Sequence, residues 1–363
     1  MNEETLKYID LFSGIGGFRR ALELLSNDLG RKTKCVAFSE IDKYAVTSYK
    51  ANYNTRDEIE IGDIELFAKD PEQIKSLPNF DIVFGGFPCQ PFSMMGKKLG
   101  LQDERGGLFF SVMKIVDIKK PKYILLENVR NLFTHDKGST YQQLKEELEE
   151  HGYNVQEDIL NTSNFGLPQH RRRLYIFASR KDLNTPTDIF NANLIQEHFS
   201  KLQDRSIKTY KNVLDGILDQ NKVEDKYYLS EKIKPTILSN GTKNFKSNSQ
   251  INQLIARPLT ATMVKMHRAC QDNYYSQEFL DADCQTSYLE NSFSKDEEAT
   301  HKIRKLTPWE TLKLQGFEKD FFINSQKAGV SNHQLYKQAG NAVSVNTVYT
   351  VLDYLITKES HVL

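Results

Sequence analysis

Three groups of residues in this chain have types and spacings that carry chemistry. The first is a single cysteine, Cys89, in the stretch GGFPCQPFS at residues 85–93. The apolar run DIVFGG leads into it, so the thiol stands where a buried strand gives way to a loop, and Pro88 and Pro91 stiffen that loop on both sides. A thiol reacts as the thiolate and needs a partly exposed, electropositive setting. The second is Glu127, which follows the largely apolar run YILL. Such a place disfavours the ionised form, so its pKa is expected to rise and the carboxyl to donate a proton near neutral pH. The third is the turn DLFSGIGGF, with Gly14, Gly16 and Gly17 directly after an apolar run, followed by Glu40 in AFSEID. A glycine turn lets backbone approach a ligand and presents N–H groups at a helix start. An acidic residue about 20 positions on, at a second strand's tip, takes ribose hydroxyls. The dinucleotide fingerprint would need glycine where Arg19 stands, which counts against NAD and FAD and leaves other nucleoside cofactors. Asp63, in GDI, stands where a carboxylate accepts an adenine amino group or caps a helix. Thiolate, neutral acid and nucleoside cofactor together suit chemistry on an electron-poor ring that must first be activated.

The elements around these residues form a simple alternation. KYIDLF reads as a strand, with a helix from about Phe18 to Leu25 after its turn; CVAFSE is a second strand and IDKYAVTSYKANY an amphipathic helix. DIVFGG and YILLENV are buried strands separated by the helical GLFFSVMKIVDIKK. YQQLKEELEEHGY is a charged helix, and YNVQEDILN and RRLYIFAS are further strands. This predicts an α/β fold of βαβ units around a largely parallel sheet. Ligands of such sheets gather outside the carboxyl ends of the strands, where the glycine turn, Glu40, Cys89 and Glu127 all fall. Residues 182–300 differ: they are rich in Asn, Gln, Ser, Lys and Asp without clean periodicity, and SNGTKNFKSNSQINQ reads as an exposed loop. Residues 1–181 and 331–363 are therefore expected to form one domain, with NAVSVNTVYTVLDYLITK packing back onto it. Residues 182–330 form a smaller domain and hinge.

Composition narrows the field. Lys plus Arg and Asp plus Glu each total 48 in 363 residues, and a neutral sum still allows a basic face, the clearest local excess being QHRRRLYIFASRK. No apolar run approaches the ~20 residues that span a bilayer, and the start lacks a secretory pattern, so a cytoplasmic protein without membrane attachment is expected. The four cysteines show no C-x-x-C pair and no clustered His, so neither a disulfide framework nor a metal site is expected, and Cys35 reads as a small buried hydrophobe.

The motifs in order resemble those of the bacterial DNA (cytosine-5) methyltransferases across nearly the whole chain. DLFSGIGGF and Ser39-Glu40 match the cofactor motifs, FPCQPFS the catalytic cysteine motif, RGGLF at 105–109 the segment after it, and ENV the glutamate motif. QHRRRLYIF matches a Q-x-R-x-R motif through Gln169, Arg171 and Arg173, while RKLTPWETLKLQGF and YKQAGNAVSVN match the C-terminal motifs. The resemblance implies a Rossmann-like methyltransferase sheet with helices on both faces and a smaller, irregular target-recognition domain. It implies S-adenosylmethionine as cofactor, leaving S-adenosylhomocysteine, and C5 of cytosine in a specific double-stranded DNA sequence as target. Cys89 would add to C6 of a flipped-out base while Glu127 donates to N3, with Gln90 beside the thiol. Arg171 would help hold the base and Glu127, and Arg173 would be structural or order the loop. Phe12, Gly14, Gly16, Gly17, Phe18, Glu40, Ile41, Asp63, Ile64, Pro88, Asn341 and Ala342 are the implied cofactor residues. Phe18 would stack near the adenosine, Glu40 would take the ribose, Asp63 the adenine edge, and Asn341 would lie near the methionine part. Ile41 stands where the family often has an aromatic, and Ala342 where it often has a small hydroxyl residue.

Residues 90–105 correspond to the family's mobile loop, with Ser93, Lys97 and Lys98 as DNA contacts and Gly96 and Gly100 as hinges. In RPLTATMVKMHRACQDNYY, residues 257–275, Arg257, Lys265, His267, Arg268 and Gln271 either read base edges or touch phosphates, and both readings stay open. The family implies a monomer functionally paired with a cognate restriction endonuclease. Two rivals remain: an RNA (tRNA) cytosine-5 methyltransferase on the same scaffold, and a non-catalytic nucleic-acid-binding protein, against which the intact Cys89 and Glu127 argue. A cysteine hydrolase would need a histidine base, and His170 among three arginines is its sole candidate.

Overall fold

A computed structural model describes residues 5–88, 107–219, 221–242 and 244–358. By Cα packing they divide into two units, the first Met1–Phe165, Arg172–Ile207 and Val343–Leu363, the second Gly166–Arg171 and Lys208–Ala342.

The first unit is built on seven strands: β1 (Leu6–Leu11), β2 (Thr33–Phe38), β3 (Ile59–Glu60), β4 (Ile82–Gly85), β5 (Tyr123–Val129), β6 (Tyr153–Asn161) and β7 (Arg172–Arg180). They lie in the order β3-β2-β1-β4-β5-β7-β6. From β3 to β5 neighbours are parallel, which is why β4 and the Tyr123–Leu126 part of β5 read as continuous apolar runs buried on both faces. The far edge departs from the parallel expectation, since β7 is antiparallel to both β5 and β6. Only residues 162–171 join β6 to β7, too few for the crossover helix that a parallel pair requires. The two-residue β3 has no counterpart in the sequence reading; both its residues are exposed, so it leaves no apolar signal. Helix Gly17–Leu29 packs against the C-terminal helix Val345–Lys358, whose Val348, Val351, Leu352 and Leu355 are buried.

Sequence reading closes the first domain at 181 and reopens it at 331, whereas packing moves both boundaries. Segment 182–207 stays with the first unit through Phe190, buried and stacked 5.8 Å from Phe177, and through His198 and Arg205, both on the carboxylate of Asp353. Helix Asn332–Asn341 falls in the second unit because Gly340 lies against the backbone of Thr260 and Ala261.

The second unit has a small core of Leu229, Ile237, Leu238, Ile251, Ala269, Tyr274 and Ile303. Its strands are short: Tyr274–Ser276 pairs antiparallel with Ile303–Lys305, and Gly241–Thr242 with Phe245–Lys246. The stretch expected as exposed loop thus contains a hairpin, and its Ser249 and Asn252 are buried. Asn252, at φ 60°, donates its N–H to Tyr274 O at 2.9 Å, and its Oδ1 accepts from Ser276 N at 2.8 Å, a left-handed conformation that Asn tolerates. Among the described residues no helix is long and apolar enough to cross a membrane.

Gly340 supports a first prediction. A Cβ there would stand 2.2 Å from Thr260 C and 2.3 Å from Ala261 N, both backbone atoms that cannot swing aside. Gly340→Ala is expected to destabilise the second unit by about 1–3 kcal/mol or more, as overpacking does. The chain has one tryptophan, Trp309, and it lies in this unit, so its fluorescence in a urea titration checks the outcome.

Candidate active site

After β1 the chain turns sharply: Phe12 (φ 51°), Gly14 (53°) and Gly16 (78°) all have left-handed backbone. The tip of β2 holds this turn, since Ser13 N donates to Ser39 O at 2.9 Å and Gly14 N to Glu40 Oε2 at 2.9 Å. Glu40 Oε1 accepts from the N–H groups of Ile41 and Asp42, each at 2.8 Å. A carboxylate has about four acceptor sites, so three backbone donors leave room for one more. Two of the glycines answer to packing. A Cβ on Gly16 would stand 2.5 Å from the Tyr53 ring, and one on Gly17 2.5 Å from Val343 Cγ2. At Gly14 the space is open, nothing lying nearer than Phe12 O at 4.0 Å. An open backbone turn, a carboxylate with spare capacity and an apolar residue, Ile41, 78% exposed beside it fit an adenosine-type cofactor.

Where the dinucleotide fingerprint would place a third glycine, Arg19 is buried. Its guanidinium donates to Tyr49 Oη (3.2 Å), Glu58 Oε2 (2.9 Å), Glu23 Oε1 (3.0 Å) and Asn54 O (3.2 Å), and lies over the Tyr53 ring. Phe18 is buried and stacks 5.3 Å from Phe84, so its ring belongs to the core beneath the turn. Asp63 caps the short helix Ile64–Phe67, its Oδ1 accepting from Glu65 N at 2.9 Å and Leu66 N at 3.3 Å, while Ile64 is buried. Asp63 thus serves as a cap, one of its two readings from sequence.

Asp10, at the end of β1, is fully buried beneath the same turn, with Tyr49 Oη 3.4 Å from its Oδ2. Burial pushes its carboxyl up to about 7, against the pull of Arg19 and the Tyr49 hydrogen bond. A carboxyl that titrates higher when folded holds its proton more tightly in the folded state. Its stabilising contribution is therefore complete below the ordinary carboxylate value and is lost as pH rises through about 7. The fold is expected to lose on the order of a few kcal/mol between pH 4 and pH 8 from this group. Asp10→Asn should flatten that slope in urea titrations followed by circular dichroism.

Glu127 lies near the carboxyl end of β5 and is 7% exposed. Its Oε1 forms an ion pair with Arg173 Nε at 3.1 Å, and its Oε2 is 3.8 Å from where a Cβ on Gly86 would stand. The sheet explains the pairing. Glu127 is opposite Tyr175 and Val129 opposite Arg173, so Arg173 is the diagonal neighbour of Glu127 on one face of the antiparallel pair. The resemblance gives that contact to Arg171. In the structure Arg171 instead donates to three backbone carbonyls of the second unit, Leu259 O (3.1 Å), Gly340 O (3.2 Å) and Ala342 O (2.8 Å). The reason is local: β7 begins at Arg172, so Arg173 is within the ladder and Arg171 precedes it.

Asn128, which sequence reasoning missed, is buried and donates its Nδ2 to Phe87 O at 2.9 Å, fixing the chain that leaves β4. Its signal was a lone amide at the end of an apolar strand. Val343, also missed, fits against both Gly17 and Gly86. Phe87 is buried and Pro88 exposed. Cys89, Gln90, Ser93, Lys97 and Lys98 lie outside the described residues.

In the second unit Gln169 is buried, its amide bridging Leu259 N and Leu314 O at 3.0 Å each. Asn341 is exposed and Ala342 buried. Arg257 is engaged within its own segment, donating from Nε to Ala269 O at 2.9 Å, and His267 Nδ1 lies 3.0 Å from Asp272 Oδ2. Lys265 and Gln271 are exposed and Arg268 is half-buried.

A sheet in this order, ending in an antiparallel pair and carrying a glycine turn after β1, defines a Rossmann-like methyltransferase fold. The family model for C-5 cytosine-specific DNA methylase matches residues 6–357, and the chain belongs to that family. It is 36% identical over 365 residues to the type II methyltransferase M1.ScrFI of Lactococcus lactis subsp. cremoris, covering 98% of this chain and 79% of that one. It is 37% identical over 344 residues to the type II methyltransferase M.NgoBI of Neisseria gonorrhoeae, covering 94% and 90%. Among solved structures, the S. pombe Dnmt2 methyltransferase shares the fold at a TM-score of 0.70 and 19% identity, covering 97% of this chain and 99% of that one. The chain is a DNA (cytosine-5) methyltransferase, and its family implies S-adenosylmethionine as methyl donor.

Proposed function

We propose that the enzyme methylates C5 of cytosine within a specific double-stranded DNA sequence, through a covalent adduct between Cys89 and C6 of a flipped-out base. The observation that supports this most is the place of Glu127: at the tip of β5, paired with Arg173 and over Gly86, three residues before Cys89. A cytosine C5 is a poor nucleophile. The Cys89 thiolate adds to C6, Glu127 holds a proton at N3, and the electron pair of the C5–C6 double bond moves to C5. Arg173 orients the Glu127 carboxyl from its diagonal position in the sheet. S-adenosylmethionine, when bound, supplies the electrophilic methyl group. Loss of the C5 proton then lets the Cys89–C6 bond break and restores the ring.

The cofactor is assigned to the turn of Phe12, Gly14, Gly16 and Gly17, with Glu40 taking the ribose and Ile41 covering the base. Asp63, Ile64 and Pro88 complete the set, and Phe18 supports the turn from the core beneath it. The second unit is assigned to target recognition, with Lys265, Arg268 and Gln271 as its accessible contacts and Arg257 and His267 shaping the segment that presents them. Gln90, Ser93, Lys97 and Lys98 complete the base and DNA contacts, Arg171 holds the second unit together, and the chain acts as a monomer. The biological role follows as protection of host DNA beside a cognate restriction endonuclease.

Duplex DNA carrying 5-fluorocytosine tests the covalent step, because fluorine at C5 cannot leave as a proton and the adduct persists. A denaturant-resistant protein–DNA complex is expected with the wild type and the methyl donor, and none with Cys89→Ala. Methyl transfer to ordinary DNA without any such complex would overturn the covalent reading.

A further inference from the structure

The second unit contains a cleft to which none of these roles is assigned. It measures about 320 Å³, counted with the space open to solvent at its mouth, and is lined by Leu259, Met263, Asp272, Tyr274, Lys305 and Tyr336 among others. Lys305 closes the strand Ile303–Lys305 directly across from Tyr274. Its half-buried ammonium lies over the Tyr336 ring, 5.3 Å from the centroid.

The lysines around it in the same unit show what is unusual here. Lys234 donates to Glu231 Oε1 at 2.7 Å, Lys295 to Glu298 Oε2 at 2.7 Å, and Lys313 to Gly216 O at 2.8 Å. Among the described residues Lys305 has no such oxygen, and burial alone holds its ammonium below the ordinary lysine range. The carboxylate in the cleft, Asp272, is taken up by His267, whose backbone N–H is 2.8 Å and ring Nδ1 3.0 Å from Oδ2. A half-buried cation without a counter-charge favours an anion at its mouth. A base is the poorer fit, because the Tyr336 ring already carries the ammonium and Tyr274 is 2% exposed, so neither aromatic offers an open face for stacking.

We infer that Lys305 is a DNA-backbone contact, its ammonium taking a phosphodiester oxygen at the mouth of this cleft. This goes beyond the proposed function and rests on DNA being the substrate. A phosphate contact positions the duplex and carries no sequence information, so its loss weakens binding to all sequences alike. It releases about one condensed counterion, which sets the salt dependence.

The test is fluorescence anisotropy of the full-length enzyme with several labelled duplexes of unrelated sequence, over about 0.05–0.2 M salt. For Lys305→Met the slope of log affinity against log salt is expected to be shallower by about 1 on every duplex, with Lys305→Arg restoring it. Lys305→Gln keeps the position polar and is read the same way if the methionine variant unfolds at lower urea. An unchanged slope in the charge-removing variants overturns the inference, as does a loss confined to one sequence. Absence of salt-dependent DNA binding by the wild type would strike the DNA-substrate reading itself.

Discussion

Glu127→Gln is expected to lower the rate of methyl transfer by about 10²–10⁴-fold, the usual contribution of a positioned general acid. The substitution keeps the size of the side chain and its approach to Arg173 while removing the proton that N3 needs. DNA binding should change little, so the loss should fall on kcat rather than on KM. Arg173→Met is expected to follow at about 10²-fold, because the carboxyl it orients is left without its 3.1 Å partner. Arg173→Lys should recover only part, since a lysine ammonium does not reproduce the fixed geometry of a guanidinium. Arg171→Met should behave differently. Its guanidinium ties Leu259, Gly340 and Ala342, so its loss should appear as a lower unfolding midpoint. Single-turnover rates and urea titrations on the three variants separate the arginines; equal kinetic losses without destabilisation would contradict the assignment.

Glu310→Ala is expected to cost about 3–5 kcal/mol, because it leaves a buried guanidinium without its counter-charge. Arg304 and Glu310 are both fully buried and joined by two bonds, at 2.9 and 2.8 Å. The same carboxylate also accepts from Thr307 N and Asp219 N, each at 2.7 Å, so it closes a helix cap and pins a loop. Replacing both partners with methionine should be milder than removing either alone, since no charge is then stranded. Trp309 is the adjacent residue, and its fluorescence reports the transition directly. A cost below about 1 kcal/mol for Glu310→Ala would show the pair to be solvated rather than buried.

The parts of the molecule that were legible in the sequence are those with a periodic or punctuated signal. β4 and the Tyr123–Leu126 part of β5 are unbroken apolar runs because parallel neighbours and helices cover both their faces. Glu127 stands near the end of β5 and Glu40 just past β2, so locating these strands located both carboxylates. Three features were not legible. Arg171 and Arg173 differ only in lying before or within the ladder, and periodicity does not mark the first ladder residue. Val343 and Asn128 act through contacts distant in sequence, with Gly17 and Gly86 in one case and Phe87 in the other. The second unit has strands of two or three residues. Its order comes from side chain–backbone bonds such as Arg257 to Ala269 O and Asn273 to Arg257 O, which have no period to read.

The most direct test of the central claim is to incubate the enzyme with S-adenosylmethionine and unmethylated plasmid DNA, and to sequence the DNA after bisulfite conversion. Cytosines protected within one short recurring sequence, and unprotected with Cys89→Ala, are the predicted result. Protection scattered without a common sequence, or none on DNA while RNA accepts a tritiated methyl group in parallel, would contradict it.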